Sequence, residues 1–253
     1  MITNSFDPYS KPFLQAEDLY DTVPANDIVT LVTFKQKVVD HVIEEYHGML
    51  ETSYKTTNGR QNIYSFYIDD KKYFIYMTPI GAAMASIVMK EVSVVTGSRK
   101  FVYFGSCGVL NEESCRGKII VPTESYRDEG ISYHYMEPTD YIHVKNSLKI
   151  QSILEEAKEP YVAGRIWTTD AIYMETINKV NKHKEEGCIA VEMEVSGVEA
   201  VSRYYGLDNY HILFSADSLG NEEEWYRADL GGDAELALQL KAFNVALKIA
   251  TKL

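Results

Sequence analysis

Val191-Glu192-Met193-Glu194 joins an apolar run, Cys188-Ile189-Ala190, to a helix-like stretch from Val195 to Tyr205. A run of strand length that ends in two carboxylates and passes into a helical pattern puts those acids where parallel α/β sheets hold their ligands. Carboxylates in that position do little for packing. An isolated E-M-E triplet is more often a solvated strand end, so its flanks decide the reading.

Outward from this centre the same arrangement recurs. Upstream, Tyr161 to Trp167 reads as a strand ending at Thr168-Thr169-Asp170-Ala171-Ile172-Tyr173, and Glu175 to Glu186 as a charged, exposed helix closed by Gly187. Downstream, Tyr210 to Ser215 is a buried strand ending at Ala216-Asp217. An acidic loop, Ser218 to Gly232, then leads to a last helix with Leu236, Leu240, Phe243 and Leu247 inward. Lys100 to Phe104 is a strand running into Gly105-Ser106-Cys107-Gly108, a turn whose glycines let backbone N–H groups approach an anion. Lys118 to Pro122 is a short strand before Tyr126 to Tyr135, a polar and aromatic loop over a pocket, and a helix follows from about Val144 to Ala157.

Nearer the start, Ile28 to Phe34 is a buried strand, followed by a helix from about Lys35 to Tyr46 with Val38, Val39, Val42 and Ile43 inward. Gln61 to Ile68 and Tyr73 to Thr78 form a hairpin around Asp69-Asp70-Lys71-Lys72, and Gly81 opens a helix that runs through Val95 to a stop at Gly97. Residues 1–25, with Pro8, Pro12 and Pro24 and no period, read as an arm packed over the surface or onto a neighbour. Strands alternating with helices predict an α/β fold with a largely parallel sheet, which the hairpin makes mixed.

Composition narrows the function. A chain of 253 residues fits one domain spanning 1–253, with insertions on a single core. A formal net charge of −12 argues against a nucleic-acid or anionic-membrane surface, and an anionic small substrate would need a local positive site. Cys107, Cys115 and Cys188 lack metal-ligand spacing, and neither a signal peptide nor a bilayer-length apolar run is visible. These features predict a reduced cytoplasmic protein without a metal. Cys107 reads as a small buried filler, Trp167 as core, and His134 as lying outside the chemistry. The 19 tyrosines fit large buried contacts or subunit interfaces.

The ordered strand ends resemble those of the nucleoside phosphorylase superfamily, which includes uridine phosphorylase, hexameric purine nucleoside phosphorylase and the methylthioadenosine nucleosidases. The matching stretches are Gly81 before its helix, Phe104 to Gly108, Gly117 to Pro122, Arg127 to Tyr135, Thr169 to Tyr173, Val191 to Glu194, and Ser215-Ala216-Asp217. The resemblance implies a three-layer α/β/α subunit around a mixed sheet, and a homo-oligomer, dimer or hexamer, with active sites at its interfaces. It also implies transfer of ribose from a nucleoside base to phosphate or water, with orthophosphate as co-substrate and no organic cofactor or metal. On its pattern Met193 packs beneath the ribose, Glu194 accepts hydrogen bonds from the 2′- and 3′-hydroxyls, and Glu192 helps hold the sugar. Ser106 and the N–H groups near Gly105 hold phosphate, Tyr173 and Ile172 lie beside the base, and Asp217 matches the acid that protonates a departing purine.

The chemistry fits two separated acids, because breaking a C1′–N bond builds positive charge on the sugar and negative charge on the base. Glu194 ionised beside the ribose and Asp217 protonated beside the base divide that task. Arg127 can bind the base or a phosphate, or pair with Asp128 or Glu129 at the surface. The sequence also departs from the family. The phosphorylase Gly-Asp-Pro-x-x-Arg loop is replaced by Thr33-Phe34-Lys35-Gln36-Lys37, and a second arginine by Tyr103. Lys35, Lys37, or Arg60 reaching a neighbour's site would have to supply the charge, and lysine lacks the bidentate geometry of arginine. No acid stands in residues 31–37 to activate water as the nucleosidases do, and Met174 directly follows Tyr173 where uridine phosphorylases place an arginine beyond it. Three functions stay open: phosphorolysis of a purine nucleoside or uridine, hydrolysis, and nucleoside binding without turnover.

Overall fold

The computed structural model describes residues 1–56, 59–220 and 233–253, so most of the acidic loop expected between Ser218 and Gly232 lies outside the described residues. The chain opens with β1 (Asn26–Thr33), α1 (Gln36–Glu45), β2 (Met49–Thr56), β3 (Gly59–Ile68) and β4 (Lys71–Met77). It continues through α2 (Ala82–Thr96), β5 (Ser98–Val109), α3 (Glu112–Cys115), β6 (Ile119–Asp128), α4 (Ser132–Tyr135) and β7 (Tyr141–His143). The remaining elements are α5 (Ser147–Glu156), β8 (Tyr161–Thr169), α6 (Ile177–Glu185), β9 (Cys188–Glu192), α7 (Val195–Tyr205), β10 (Asp208–Ser218) and α8 (Asp233–Thr251).

All ten strands belong to one mixed sheet, ordered β10-β6-β8-β9-β5-β1-β4-β3-β2, with β7 beside β6. Strand β10 also pairs with β5, so β5, β10, β6, β8 and β9 close into a ring from which β1, β4, β3 and β2 extend as an open wing. The sheet is mixed as expected, but it is not largely parallel: β10–β6, β2–β3, β3–β4, β5–β9 and β6–β7 are antiparallel. The other five pairings are parallel. The antiparallel return of β9 along β5 and the meeting of β10 with β6 are pairings between distant segments, which local periodicity does not register.

Side chains alternate across β1, with Val29 and Leu31 packed toward α1, α5 and α8, and Val32 toward α2 and α7. The first face also takes Phe66, Ile75, Val102 and Phe104, and the second takes Ile63, Phe74, Phe101 and Tyr103. A third apolar cluster, including Cys107, Ile120, Ile166, Ala190 and Leu213, is contributed by the strands of the ring. The hairpin turns at Asp69 and Asp70, both with positive φ of 46° and 63°, as a two-residue loop between twisted strands requires. One sequence expectation fails. Gly105-Ser106-Cys107-Gly108 is not a turn but the continuation of β5, paired to Leu213, Phe214 and Ser215 on β10 and, at Gly108, to Val191 on β9. The arm of residues 1–25 lies on the chain's own surface, where Val23 donates to the Val94 carbonyl and Glu17 pairs with Lys90. Its first turn brings Ile2 to Gly130.

Candidate functional site

Strand β9 ends at Glu192 and α7 starts at Val195, so Glu194 stands at the helix N-terminus, 8% exposed. Its side chain makes no cap hydrogen bond to its own helix, and Oε1 accepts the N–H of Gly81 at 2.6 Å, the residue that precedes α2. Gly81 has φ of 103°, which an L side chain rarely adopts, so the backbone that aims this N–H demands glycine. The first turns of α2 and α7 touch: a Cβ on Gly197 would come within 2.8 Å of the Ala82 Cβ. Two helix N-termini thus converge on one carboxyl, and their partial positive charges favour an anion there.

Glu192 spends its carboxylate locally. Oε2 accepts the N–H groups of Glu194 at 2.7 Å and Val195 at 2.8 Å, and Oε1 accepts the Thr168 hydroxyl. It is therefore Glu192 that caps α7. Parallel pairing of β8 with β9 sets Thr168 opposite Glu192, and Thr168 also takes the Ser196 N–H and meets the Ser125 hydroxyl at 2.6 Å. Burial pushes both carboxyls up, Glu192 to about 7 and Glu194 to about 8, with the charge on Glu192 raising Glu194 further. Three donors on Glu192 favour its ionised form. Glu194 has the Gly81 N–H and a weaker approach by the Met193 N–H. Met193 is half-buried between them.

Asp217 lies on β10 across from Gly108, half-buried, with Oδ1 3.3 Å from where a Gly108 Cβ would stand. Glu175, which follows the short turn Ile172–Met174, feels that charge: burial and then Asp217 push its carboxyl up to about 7, while Lys179 pulls the other way. Cys107 is buried between these groups, its thiol pushed well up by burial and by the charges of Cys115, Glu192 and Asp217, which suits the filler role expected of it.

The segment to which the resemblance assigns phosphate is partly covered by protein. The Phe34 ring lies 3.0 Å from the position of a Gly105 Cβ, covering that glycine, while Ser106 is exposed. Tyr103 is buried under α2, its hydroxyl 3.5 Å from the Ala85 carbonyl and its ring stacked on His211 at 4.8 Å. Arg60 donates to Ser53 on β2 and is separated from β5 by β1 and β4, outside the site of its own chain.

Arg127 is 2% exposed and holds its own loop: Nε donates to Ser132 Oγ at 2.8 Å, Nη1 to the Glu137 carbonyl at 2.8 Å, and the guanidinium covers the Tyr133 ring at 4.2 Å. Neither Asp128 nor Glu129 pairs with it through a hydrogen bond. Glu129 instead accepts the Ser132 N–H and the Ser196 hydroxyl, tying that loop to α7. Ile172 and Tyr173 are exposed, Tyr173 by 98%. The structure thus gathers Gly81, Glu192, Met193 and Glu194 on one side, Asp217 and the ends of β5 on the other, and leaves Arg60 apart. The sequence reading missed Glu175 and Glu129, which looked like ordinary surface charges, and Thr168, whose place beside Glu192 shows only in the strand pairing.

The sequence profile of the phosphorylase superfamily matches residues 29–248. Among curated relatives, the DeoD-type purine nucleoside phosphorylase of Caldanaerobacter subterraneus subsp. tengcongensis is 26% identical over 65% of this chain and 73% of its own length. That of Alkaliphilus metalliredigens is 25% identical over 59% of this chain and 65% of its own. The guanosine phosphorylase of Halorubrum lacusprofundi is 30% identical over 59% of this chain and 63% of its own. With the profile covering all but the arm and the last few residues, the chain belongs to the phosphorylase superfamily.

Proposed function

We propose that this protein is a nucleoside phosphorylase, a pentosyltransferase that cleaves the N-glycosidic bond of a purine nucleoside with orthophosphate, giving ribose 1-phosphate and free base. The observation that carries the reading is the buried Glu194 carboxyl, held at two helix N-termini by the Gly81 N–H. Once ionised by sugar binding, it faces the ring on which positive charge develops. Asp217, with Glu175 beside it, supplies the proton to the leaving base, and Met193, Ile172 and Tyr173 offer apolar contact to sugar and base. The names of the relatives and the acid at Asp217 both favour purines over uridine.

Ser106 and the β5 backbone are the groups we assign to phosphate, with Lys35, Lys37 or a neighbour's Arg60 as the source of charge. The exposed Ile172, Tyr173 and Met174 favour a homo-oligomer in which a second copy completes each site. We take the helices on the two faces of β1, β4 and β5 as the outer layers of a three-layer, single-domain subunit, and the protein as cytoplasmic. Among the described residues no helix is long and apolar enough to cross a membrane.

Hydrolysis is the second reading, favoured by the Phe34 ring over Gly105 and by Tyr103 in place of an arginine. Base release from inosine, guanosine, adenosine and uridine, each with and without phosphate and with Glu194→Ala as control, tests both. Release that requires phosphate is expected; equal release without it would make the enzyme a nucleosidase, and binding without release a sensor.

A further inference from the structure

Two carboxyls buried two residues apart pose a question that the ribose contacts of Glu194 leave unanswered: what Glu192 does, given that both of its oxygens are taken. The capping bonds to the Glu194 and Val195 N–H groups fix the backbone from which the Glu194 side chain departs, and the Thr168 hydroxyl fixes Glu192 itself. A carboxylate satisfied by three donors keeps its negative charge, and a second carboxyl this close and this buried then binds a proton until something better than water's absence stabilises it.

We propose that Glu192 is a positioning residue acting through Glu194: it holds the negative charge of the pair, so that Glu194 is protonated in the free enzyme and releases that proton to solvent when the sugar hydroxyls bind. This rests on the assignment of Glu194 to the ribose. In the balanced step, the Glu194 carboxylic acid loses its proton to buffer, and the carboxylate left behind accepts hydrogen bonds from two ribose hydroxyls while keeping the Gly81 N–H. The charge built up on the sugar during cleavage then faces an ionised Glu194.

The groups facing the pair all bear on its protonation. Glu194 is faced by Glu192 from β9, by Asp170 beyond β8 and by Tyr103 from β5. Glu192 is faced by Glu129 beyond β6 and Cys107 from β5, and Arg127, near the end of β6, feels the charge of Glu129. The tyrosine and the thiol are neutral at pH 7, since burial raises both, and the remaining neighbours facing the pair are acids. The helix ends, and Arg127 beside Glu129, oppose them. A ligand that brings hydroxyl donors is what shifts the balance toward the carboxylate.

The test is calorimetric titration of the wild-type protein with a purine C-nucleoside, which carries the same sugar hydroxyls and no C–N bond to cleave. Titrations at pH 7 in phosphate-free buffers of different ionisation enthalpy read the protons released. The expected result is close to one proton released per site at pH 7, falling toward none about two units higher, and none with the 2′,3′-dideoxy analogue. Glu192→Gln keeps the capping acceptor and removes the charge, so the pH midpoint of binding should move down by about one unit. Binding at pH 7 without proton release overturns the proposal, as does a Glu192→Gln protein that folds and keeps the wild-type midpoint. If Glu192→Gln does not fold, the wild-type proton count still decides. A protein that binds no C-nucleoside and releases no base from any nucleoside overturns the functional assignment itself, a different failure that the base-release assay identifies.

Discussion

Replacing Gly197 with alanine separates two effects of opposite sign. In an exposed helix the change stabilises by about 1 kcal/mol, because glycine gives up more backbone freedom on folding. At this position the new methyl would stand 2.8 Å from the Ala82 Cβ and 2.7 Å from Ile131 Cγ2. Ile131 can rotate; Ala82 is anchored by the first turn of α2. Relief therefore requires the helices to part by several tenths of an ångström, and overpacking of this kind costs about 1–3 kcal/mol, which outweighs the helix gain. The same movement carries the Gly81 N–H away from Glu194, a 2.6 Å contact worth about 1.5–3 kcal/mol when the acceptor is charged. Gly197→Ala should thus lower the denaturant midpoint at unchanged m-value, by about 1 kcal/mol net, and raise KM for the nucleoside roughly tenfold or more. Adding Ala82→Gly removes the opposing methyl and should recover much of both losses, a coupling that independent sites would not show. A Gly197→Ala protein as stable as wild type with an unaltered KM would refute the convergence of the two helices on Glu194.

Four further outcomes follow from the same geometry. Asp217→Asn should reduce phosphorolysis of inosine and guanosine by about 10²–10⁴ in kcat, yet leave 7-methylguanosine, whose base departs without a proton, close to wild type in a steady-state assay. Glu175 is pushed up to about 7 by burial and by the Asp217 charge, so Glu175→Gln should remove an inflection near neutral pH from the pH–rate profile. Arg127→Met strands the Glu137 and Thr139 carbonyls and should lower the folding free energy by about 3 kcal/mol in denaturant titration. His211 is buried and held neutral, pushed down to about 3, so below pH 6.5 the unfolded chain binds a proton that the folded one refuses. Stability should fall by up to about 1.4 kcal/mol per pH unit from 6.5 toward 3, and His211→Phe, which keeps the stack on Tyr103, should abolish that part of the acid slope in pH-dependent melts.

What the sequence made legible, and what it withheld, follows one physical line. Elements whose signal is local came through: the β-branched run of β1, the amphipathic α1 and the Asp69-Asp70 hairpin each announce themselves within a dozen residues. Misreadings arose where a distant segment decides. Gly105 and Gly108 look like turn residues, but a strand hemmed in by Phe34 on one flank and by Val191, Leu219 and Asp217 on the other has no room for a Cβ, so glycine serves close packing instead. The balance of parallel and antiparallel pairs likewise depends on where β9 and β10 return.

The site shows the same division at finer scale. Glu192 and Glu194 are equivalent as sequence, two acids astride a methionine, and the structure makes them opposites: one caps the helix with both oxygens filled, the other turns toward the N-terminus of α2. That difference is set by Thr168 on the next strand and by Gly81, 113 residues away along the chain. Arg127 is the converse case. The sequence left it between a ligand and a surface ion pair; in the structure Nε and Nη1 bind Ser132 and the carbonyls at Glu137 and Thr139, while the buried Nη2 has no hydrogen-bond partner among the described residues. A charged residue in this fold can therefore be assigned to substrate only after its intramolecular partners are counted. By that criterion Glu192 and Glu129 are committed to donors within the chain, while Glu194 and Asp217 are the acids proposed for the chemistry.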